Sequence, residues 1–172
     1  MNAIRLARME ELDEIWALVQ RTKAAMHASG NNQWGEDYPF PDLYADDIAH
    51  EELWCVTDGE DGPILGVAAI ICRHEPDYEN VPFRRGEPAV SLHRIAVDPA
   101  AQRRGVATML FEKFHEEGSR LGVDNLRVDT YDLNIPMQEL IRRQSFTHIG
   151  DTHFPKRPLP YHCYDKLLPE EV

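Results

Sequence analysis

The sequence predicts an α/β fold, with one mixed sheet and helices on both of its faces. Short apolar segments of strand length alternate with amphipathic segments of helical period, in the order βαα, ββ, βα, βα and β. With 172 residues, of which 42% are hydrophobic, the chain is the size of one domain with its own core. Neither a repeat nor a flexible linker divides it, so residues 1–172 are expected to form a single domain.

The first half of the chain is predicted to contain a strand, two helices and a hairpin. Apolar residues of the first helix recur at helical spacing, and a serine and a glycine mark its end. A turn with the sequence DGEDGP separates two apolar runs, which is typical of a hairpin. The expected elements are a strand at Ile4–Ala7, a helix ending near Ser29 and Gly30, a helix over about Asp42–His50, and strands at Leu53–Val56 and Ile64–Cys72.

The second half is predicted to contain two strand–helix units and a final antiparallel pair of strands. A long polar stretch with three prolines, Arg73–Ala89, precedes them and is either a functional loop or an excursion that covers the site. The segment PKRPLP between the last two strands cannot be strand interior, because proline has no N–H to donate. The expected elements are strands at Ser91–Asp98, Leu126–Tyr131, Phe146–Phe154 and Tyr161–Leu167, and helices over about Gly105–Leu121 and Ile135–Arg143.

The charge of the chain limits its partners. A net charge of −12 argues against a nucleic-acid surface. No Lys or Arg lies between Lys23 and Arg73, and that interval is rich in acidic residues, whereas paired arginines come later. The carboxylates either serve solubility or form an acidic side for a cationic acceptor, with the arginines forming basic spots for a polyanion.

The sequence favours a cytoplasmic protein. No run of about 18 apolar residues is present, so no membrane span is expected. The first residues lack the apolar centre of a secretion signal. The three cysteines, Cys55, Cys72 and Cys163, are odd in number and lie in apolar stretches, so they are expected to be reduced core residues.

A basic turn that contains a glycine joins the strand ending near Asp98 to the following helix. Its sequence is Q-x-x-G-x-A, from Gln102 to Ala107, with two arginines inside it. A strand, such a turn and a helix N-terminus can hold a phosphate, because free N–H groups and the positive end of the helix dipole point at the anion. The spacing differs from the dinucleotide and P-loop fingerprints. An ordinary strand–helix connection is the alternative interpretation.

The turn resembles the acetyl-CoA signature, Q/R-x-x-G-x-G/A, of the GNAT family of N-acetyltransferases. Leu92–Pro99 is similar to the strand before that signature, and the next strand and helix end near Ser145-Phe146, as in the family. The early loop, with Gln33-Trp34 and Asp37-Tyr38-Pro39, resembles some bacterial members. The resemblance implies the family's mixed, mostly antiparallel sheet. It also implies transfer of an acetyl group from acetyl-CoA to a primary amine, by direct attack in a ternary complex.

The same resemblance implies which residues hold acetyl-CoA. Backbone groups of Ile95, Ala96 and Val97 would bond the pantetheine arm, and an N–H near Val97 would stabilise the oxyanion. Asn134 is expected either to cap the following helix only or to bond the arm as well. Thr108 is either a further hydroxyl donor or plain helix surface. The implied cofactor residues of the turn are Gln102, Arg103, Arg104, Gly105, Val106, Ala107 and Thr108.

Two departures from the family are visible: Ser145 replaces the usual glycine, and the other departure concerns the general acid. Ile141 stands where many members have the tyrosine that protonates the leaving thiolate. Three alternatives follow: the thiolate leaves unaided, since a thiol pKa is about 8.5; Tyr131 substitutes; or the chain is a non-catalytic acyl-CoA binding or sensing domain. His93, on the strand before the turn, is the candidate general base, and the alternative is a side chain that is bonded within the sheet or exposed at its face.

The acceptor is expected to be an amine on a small molecule or at a peptide N-terminus. Trp34, Asp37 and Tyr38 are the candidate acceptor residues, and packing of the loop onto the core is the alternative for its aromatic side chains. Eight histidines are present without H-E-x-x-H or comparable spacing, so no metal site is expected. A homodimer is compatible with the resemblance. A third interpretation is an interaction module in which the turn is incidental.

Overall fold

The computed structural model describes residues 1–169, and within them the predicted order of elements is confirmed. The helices are α1 (Leu12–Ala28), α2 (Pro41–Ala49), α3 (Val106–Arg120) and α4 (Ile135–Arg143). The strands are β1 (Asn2–Leu6), β2 (Leu53–Asp58), β3 (Ile64–Ile71), β4 (Val90–Val97), β5 (Asn125–Tyr131), β6 (Thr147–Thr152) and β7 (Tyr161–Leu167). None of the helices within residues 1–169 is long and apolar enough to cross a membrane.

The strands form one mixed sheet in the order β1-β2-β3-β4-β5-β7-β6. β4 and β5 are parallel, through register pairs from Val90–Leu126 to Leu92–Val128. β2 pairs antiparallel with β1 and β3, and β7 pairs antiparallel with β5 and β6. The predicted class, an α/β fold with a mixed and mostly antiparallel sheet flanked by helices, is therefore confirmed.

Two compact units divide the chain. The first contains Met1–Ile70 and His93–Lys113, and the second contains Ile71–Leu92 and the described residues from Phe114 onward. β3, β4 and α3 each contribute residues to both units. The expectation that the chain forms a single domain stays a prediction.

Every residue of β3 is buried, and all of them except Ile71 belong to the first unit. A strand that is covered on both faces is apolar throughout rather than alternating, as the sequence ILGVAAII is. The buried side of α1 adds Ile15, Leu18 and Val19 to the core of this unit. α1 ends at Ala28, and Gly30 follows with the left-handed φ of 87° that commonly ends a helix.

In the second unit, the long polar loop of residues 72–89 is fastened to β5 and β7. Tyr78 is buried, and its hydroxyl donates to Asp129 Oδ2 at 2.6 Å. Burial raises the pKa of the Tyr78 hydroxyl well above its usual value, so this donor keeps its proton. The Arg84 Nε donates to the buried Asp165 at 2.7 Å. These bonds to two strands explain how a stretch with few apolar residues is held in place.

The cysteines are free, and one of them corrects a sequence expectation. Cys55 and Cys163 are buried, as predicted. Cys72 is exposed rather than a core residue. The reason is that β3 ends at Ile71, so Cys72 is the first residue of the loop.

Candidate active site

The end of β4 is held by Asp98, which follows the strand directly. The Asp98 N–H donates to the Leu65 carbonyl at 2.8 Å, and Asp98 Oδ1 accepts the Ala100 N–H at 3.0 Å. Asp98 Oδ2 accepts from Arg21 Nη2 of α1 at 2.6 Å. Because three bonds converge on this residue, the chain enters the short 3-10 turn Pro99–Ala101 in a defined direction.

The predicted phosphate turn lies between this 3-10 turn and α3. Gln102, Arg103, Arg104 and Gly105 are all exposed. Arg103 and Gly105 have left-handed φ values of 64° and 75°. A turn with such residues presents successive backbone N–H groups to an anion. The Met109 N–H bonds the Gly105 carbonyl at 3.0 Å, so the helical bonding of α3 begins immediately after the turn.

The space beside Gly105 is open. A Cβ built at Gly105 would have no atom within 4 Å, so no part of the described chain occupies this space. The first N–H groups of a helix lack partners inside the helix. The dipole of the 15-residue helix α3 adds positive potential at the same end. The residues present therefore fit the diphosphate of a nucleotide-bearing cofactor.

The two arginines of the turn differ in their contacts. Arg104 Nη2 lies 3.2 Å from Asp58 Oδ2, and the Arg104 carbonyl accepts from Asn2 Nδ2 at 3.3 Å. Asn2 begins β1 and Asp58 ends β2, so Arg104 ties the turn to the sheet. The exposed Arg103 side chain has no hydrogen bond or ion pair with any residue of the described chain. Arg103 is therefore the arginine that can reach a phosphate without losing an ion pair.

A glycine of β3 allows β4 and α3 to approach closely. A Cβ at Gly66 would lie 2.6 Å from Val106 Cγ1 and 3.0 Å from the Ala96 carbonyl oxygen, both shorter than ordinary contacts. Gly66 thus lets the first residue of α3 and a predicted cofactor residue of β4 lie against one point of β3. Sequence reasoning missed Gly66, and the available signal was a glycine inside an otherwise apolar strand.

The last residue of β4 is bonded to α1. Thr22 Oγ1 lies 3.1 Å from the Val97 carbonyl oxygen and 3.0 Å from the Leu18 carbonyl oxygen, so its one hydrogen can serve either. The parallel ladder of β4 covers Val90–Leu92, so the predicted pantetheine residues Ile95–Val97 lie beyond it along the strand. The hydrogen bond from Thr22 of α1 thus holds the C-terminal end of the segment Ile95–Val97.

Arg94, which lies between His93 and Ile95 on β4, forms a buried ion pair that sequence reasoning missed. Arg94 Nε and Nη2 donate to the two carboxylate oxygens of Asp47 at 2.8 and 2.7 Å. The side chain of Asp47 is 2% exposed and that of Arg94 is 11% exposed. Burial alone would lower the pKa of Arg94, but the bonds to Asp47 and Tyr38 raise it, so the guanidinium stays charged.

The three predicted acceptor residues differ in exposure. Trp34 is only 4% exposed, and its carbonyl is bonded to His27 Nε2, which favours the packing alternative for its ring. Asp37 is exposed. Tyr38 is half-buried, and its hydroxyl accepts from Arg94 Nη1 at 3.4 Å. Asp37 and Tyr38 therefore remain the acceptor candidates with accessible polar groups.

The predicted catalytic residues fall in different units. His93 is a half-buried residue of β4 in the first unit. In the second unit, the Asn134 N–H bonds the Tyr131 carbonyl at 2.9 Å. Tyr131 is fully buried, and its hydroxyl oxygen accepts the Leu159 N–H at 3.2 Å. Asn134 Oδ1 accepts the Met137 N–H at 3.3 Å, which confirms Asn134 as the cap of α4.

The two departures from the family pattern both lie at α4. Ile141 is fully buried, so this position holds a core side chain without a proton to donate. Ser145 follows the helix with a left-handed φ of 67°, the conformation that favours glycine. The serine at this position therefore has a backbone conformation that glycine adopts more readily.

The sequence of the chain identifies its family. Residues 10–146 match the family model described as the Acetyltransferase (GNAT) family. The chain therefore belongs to the acetyltransferase (GNAT) family, which confirms the resemblance seen in its turn. It is an N-acetyltransferase, an enzyme class that takes acetyl groups from acetyl-CoA.

Solved structures of bacterial acetyltransferases are similar to this chain. A GNAT family acetyltransferase from Streptococcus agalactiae 2603 is 26% identical, with a TM-score of 0.79 over 98% of this chain and 96% of that chain. The ribosomal-protein-S18-alanine N-acetyltransferase from Escherichia coli is 19% identical, with a TM-score of 0.66 over 100% and 96%.

A third similar structure was solved with a cofactor. The yncA protein from Salmonella typhimurium, with its cofactor acetyl-CoA, is 17% identical, with a TM-score of 0.69 over 100% of this chain and 96% of that chain. At their identities, this structure and the Escherichia coli one show the fold alone. Among curated proteins, none matches the sequence significantly.

Proposed function

We propose that this enzyme transfers an acetyl group from acetyl-CoA directly to a primary amine, without a covalent enzyme intermediate. The observation that carries the proposal is the exposed turn Gln102–Ala107. It combines two left-handed residues, open space at Gly105 and the N-terminus of α3. We assign the diphosphate of acetyl-CoA to the N–H groups of residues 103–107. The similar structure that holds acetyl-CoA supports this choice of anion.

The strand before the turn supplies the other cofactor contacts. We assign the pantetheine arm to the backbone of Ile95–Val97, and stabilisation of the oxyanion to an N–H near Val97. The close packing at Gly66 and the three bonds of Asp98 support this assignment, because they hold the segment in position before the substrate arrives. We assign Arg103 to the phosphate charge, since it breaks no ion pair to reach it.

The chemistry requires a cationic acceptor to lose two protons, one before the attack and one as the amide forms, and it requires one proton to reach the leaving sulfur, so that one proton in total passes to the solvent. Bound acetyl-CoA supplies a thioester whose acetyl carbon is attacked by the amine, so that a C–N bond forms and the C–S bond breaks. We assign His93 as the base that takes a proton from the acceptor, since an imidazole pKa of about 6.5 suits neutral pH. We assign Tyr131 as a proton donor to sulfur. Its hydroxyl oxygen accepts the Leu159 N–H, and this bond leaves the hydroxyl's own hydrogen for donation.

The segment proposed to bind the acceptor is acidic. Exposed Asp37 lies beside Tyr38, in the interval between Lys23 and Arg73 that contains no Lys or Arg. Such an interval attracts a cationic amine. The similar Escherichia coli enzyme, named as an N-acetyltransferase for the alanine of a ribosomal protein, supports an amine of a peptide or protein as an acceptor beside a small-molecule amine. The free cysteines support a cytoplasmic location, where thiols stay reduced.

The replacement Gly105→Leu tests the turn. We expect acetyl-CoA binding, measured by calorimetry, to be lost, because the new side chain fills the space that the diphosphate needs. Gly122→Leu is the matched control, since Gly122 lies just after the other end of α3. It has a left-handed φ of 68° and likewise no atom within 4 Å of its built Cβ. Both variants carry the same backbone strain, so only the loss of binding separates them.

Release of free CoA with a panel of amines and N-terminal peptides then tests the transfer itself. Release with one class of acceptor supports the proposal and names the acceptor. Wild-type affinity in the Gly105→Leu variant would contradict the assignment of the turn. Tight binding with no release for any acceptor would instead favour the acyl-CoA sensing alternative that Ile141 raised.

A further inference from the structure

Two histidines and an aspartate that are separated in sequence meet at the edge of the sheet in the second unit. Asp151 Oδ1 lies 2.7 Å from His148 Nε2 and 2.8 Å from His162 Nδ1. One ligand atom from each of the three residues lies within 4.8 Å of the others. Two imidazoles and a carboxylate form the donor set that Zn²⁺ and related divalent cations prefer.

A β-bulge places these side chains on one side of β6. In a regular strand, residues three apart point to opposite faces. His148 pairs with Tyr164 and Gly150 pairs with Cys163, so β6 contains one extra residue at this point. The extra residue reverses the alternation of side chains between the two faces of the strand. The side chains of His148 and Asp151 therefore lie on the same face of β6. Asp151 and His162 are direct register partners across β6 and β7. Bulges are over-represented at sheet edges, where β6 lies, and next to active sites, where they redirect side chains.

The second nitrogen of His162 also has a partner. His162 Nε2 lies 2.7 Å from Asp132 Oδ1. A histidine that binds a metal with one nitrogen usually donates the N–H of the other to a carboxylate, which fixes the tautomer and orients the ring. Asp132 occupies this outer position, and Nδ1 of His162 is thereby left to face the other two ligands.

We propose that His148 Nε2, the Asp151 carboxylate and His162 Nδ1 form a binding site for a divalent transition-metal ion of the Zn²⁺ type, with Asp132 orienting His162. The charges agree, because two carboxylates with neutral imidazoles match a dication. Bonds of about 2.0–2.2 Å in a tetrahedral site place ligand atoms about 3.3–3.5 Å apart. The present contacts of 2.7 and 2.8 Å would have to open towards that spacing, and the two imidazole nitrogens, which lie within 4.8 Å of each other, would have to adopt it as well.

Two of the three proposed ligands face an open cavity. His148 and His162 line an open cavity of about 620 Å³, together with Glu139, Arg142 and Tyr164. Sites with three protein ligands and one open position bind water or a ligand group in the fourth. The proposal contradicts the sequence expectation of no metal site. That expectation missed the cluster because a register pair and a bulge, not a sequence motif, bring the residues together.

The test uses the full chain without a polyhistidine tag, after treatment with a chelator. Zn²⁺ is titrated by calorimetry, and Co²⁺ by the visible absorption that reports its coordination. We expect one equivalent to bind, with loss of binding in His148→Ala and in His162→Ala. His153→Ala is the matched control, since His153 is an exposed histidine just beyond β6 that is not part of the cluster. Asp132→Asn should weaken binding by about 10- to 100-fold.

Two results would overturn the proposal. One is the absence of saturable binding of either ion to the wild-type protein. The other is equal metal affinity in the wild-type protein and in His148→Ala. Because His148 is exposed, its replacement is expected to leave the fold intact. Thermal melting of each variant shows that it is folded. The titrations contain no acetyl-CoA, so their outcome is independent of the proposed acetyl transfer.

Discussion

Replacing Gly66 by alanine tests whether the packing of β3, β4 and α3 holds the cofactor turn. The new Cβ would lie 2.6 Å from Val106 Cγ1 and 3.0 Å from the Ala96 carbonyl oxygen, so at least one of them must move. Val106 is β-branched at the start of a helix, where its χ1 is restricted, and the Ala96 oxygen belongs to the backbone. Overpacking of this kind costs about 1–3 kcal/mol. For a chain of 172 residues, this corresponds to a melting temperature lower by roughly 2–12 °C.

Urea unfolding and calorimetric titration with acetyl-CoA are the two assays. Gly86→Ala is the matched control, because a Cβ at Gly86 meets no atom within 4 Å and its φ is not left-handed. We expect the control to be neutral or to stabilise by up to about 1 kcal/mol, through the unfolded state. In a Val106→Ala background, Gly66→Ala should lose part of its cost, because the 2.6 Å contact is removed.

Unchanged stability and unchanged acetyl-CoA affinity in Gly66→Ala would refute this reasoning. Lower stability with wild-type acetyl-CoA affinity would support the close packing at Gly66. It would also show that this packing does not position the turn for the cofactor. A cost that is the same with and without the Val106 side chain would show that the Ala96 carbonyl, rather than Val106, sets the limit.

Two further predictions concern ion pairs. Asp47→Asn should lower the free energy of unfolding by roughly 3–5 kcal/mol, because it leaves the buried Arg94 without a charge partner. In the same urea assay, the control Asp46→Asn should change the free energy of unfolding little, because Asp46 is exposed. The bond to Arg5 lowers the pKa of Glu11, so the ion pair stabilises the fold fully at pH values above the ordinary pKa range of glutamate. This contribution is lost as the pH falls through the lowered pKa of Glu11. The difference in unfolding free energy between wild type and Glu11→Gln should thus be constant above about pH 5 and shrink towards pH 3, and a difference independent of pH would contradict it.

Local signals were enough to predict where several elements in the last part of the chain begin. The bounds of α4 follow from Asn134, whose side chain caps the helix, and from a proline in its first turn. The bounds of β7 follow from the proline-rich segment before it. The predicted strand at Phe146–Phe154 was too long. The Phe146 N–H still bonds the Ile141 carbonyl at the end of α4, so β6 begins one residue later.

The features that sequence reasoning missed all depend on contacts between distant parts of the chain. Arg94 and Asp47 are 47 residues apart, and nothing in either neighbourhood marks them as a buried pair. The meaning of Gly66 depends on Val106, which packs against it from a helix formed 40 residues later. The histidine cluster depends on the register of β6 and β7. Register and bulges are set by the whole sheet, so a pattern along one strand cannot predict them.

The magnitude of one proton transfer decides how Ile141 can be reconciled with an acetyltransferase. Ile141 is fully buried, so no proton donor stands where many family members have tyrosine. A thiol pKa of about 8.5 lies about 1.5 units above neutral pH, so releasing the thiolate instead of the thiol costs about 2 kcal/mol. A cost of that size lowers the rate by roughly 30-fold, which leaves most of the rate enhancement of an enzyme in place. The missing tyrosine therefore argues for a slower leaving step, or for donation by Tyr131, and not for loss of activity.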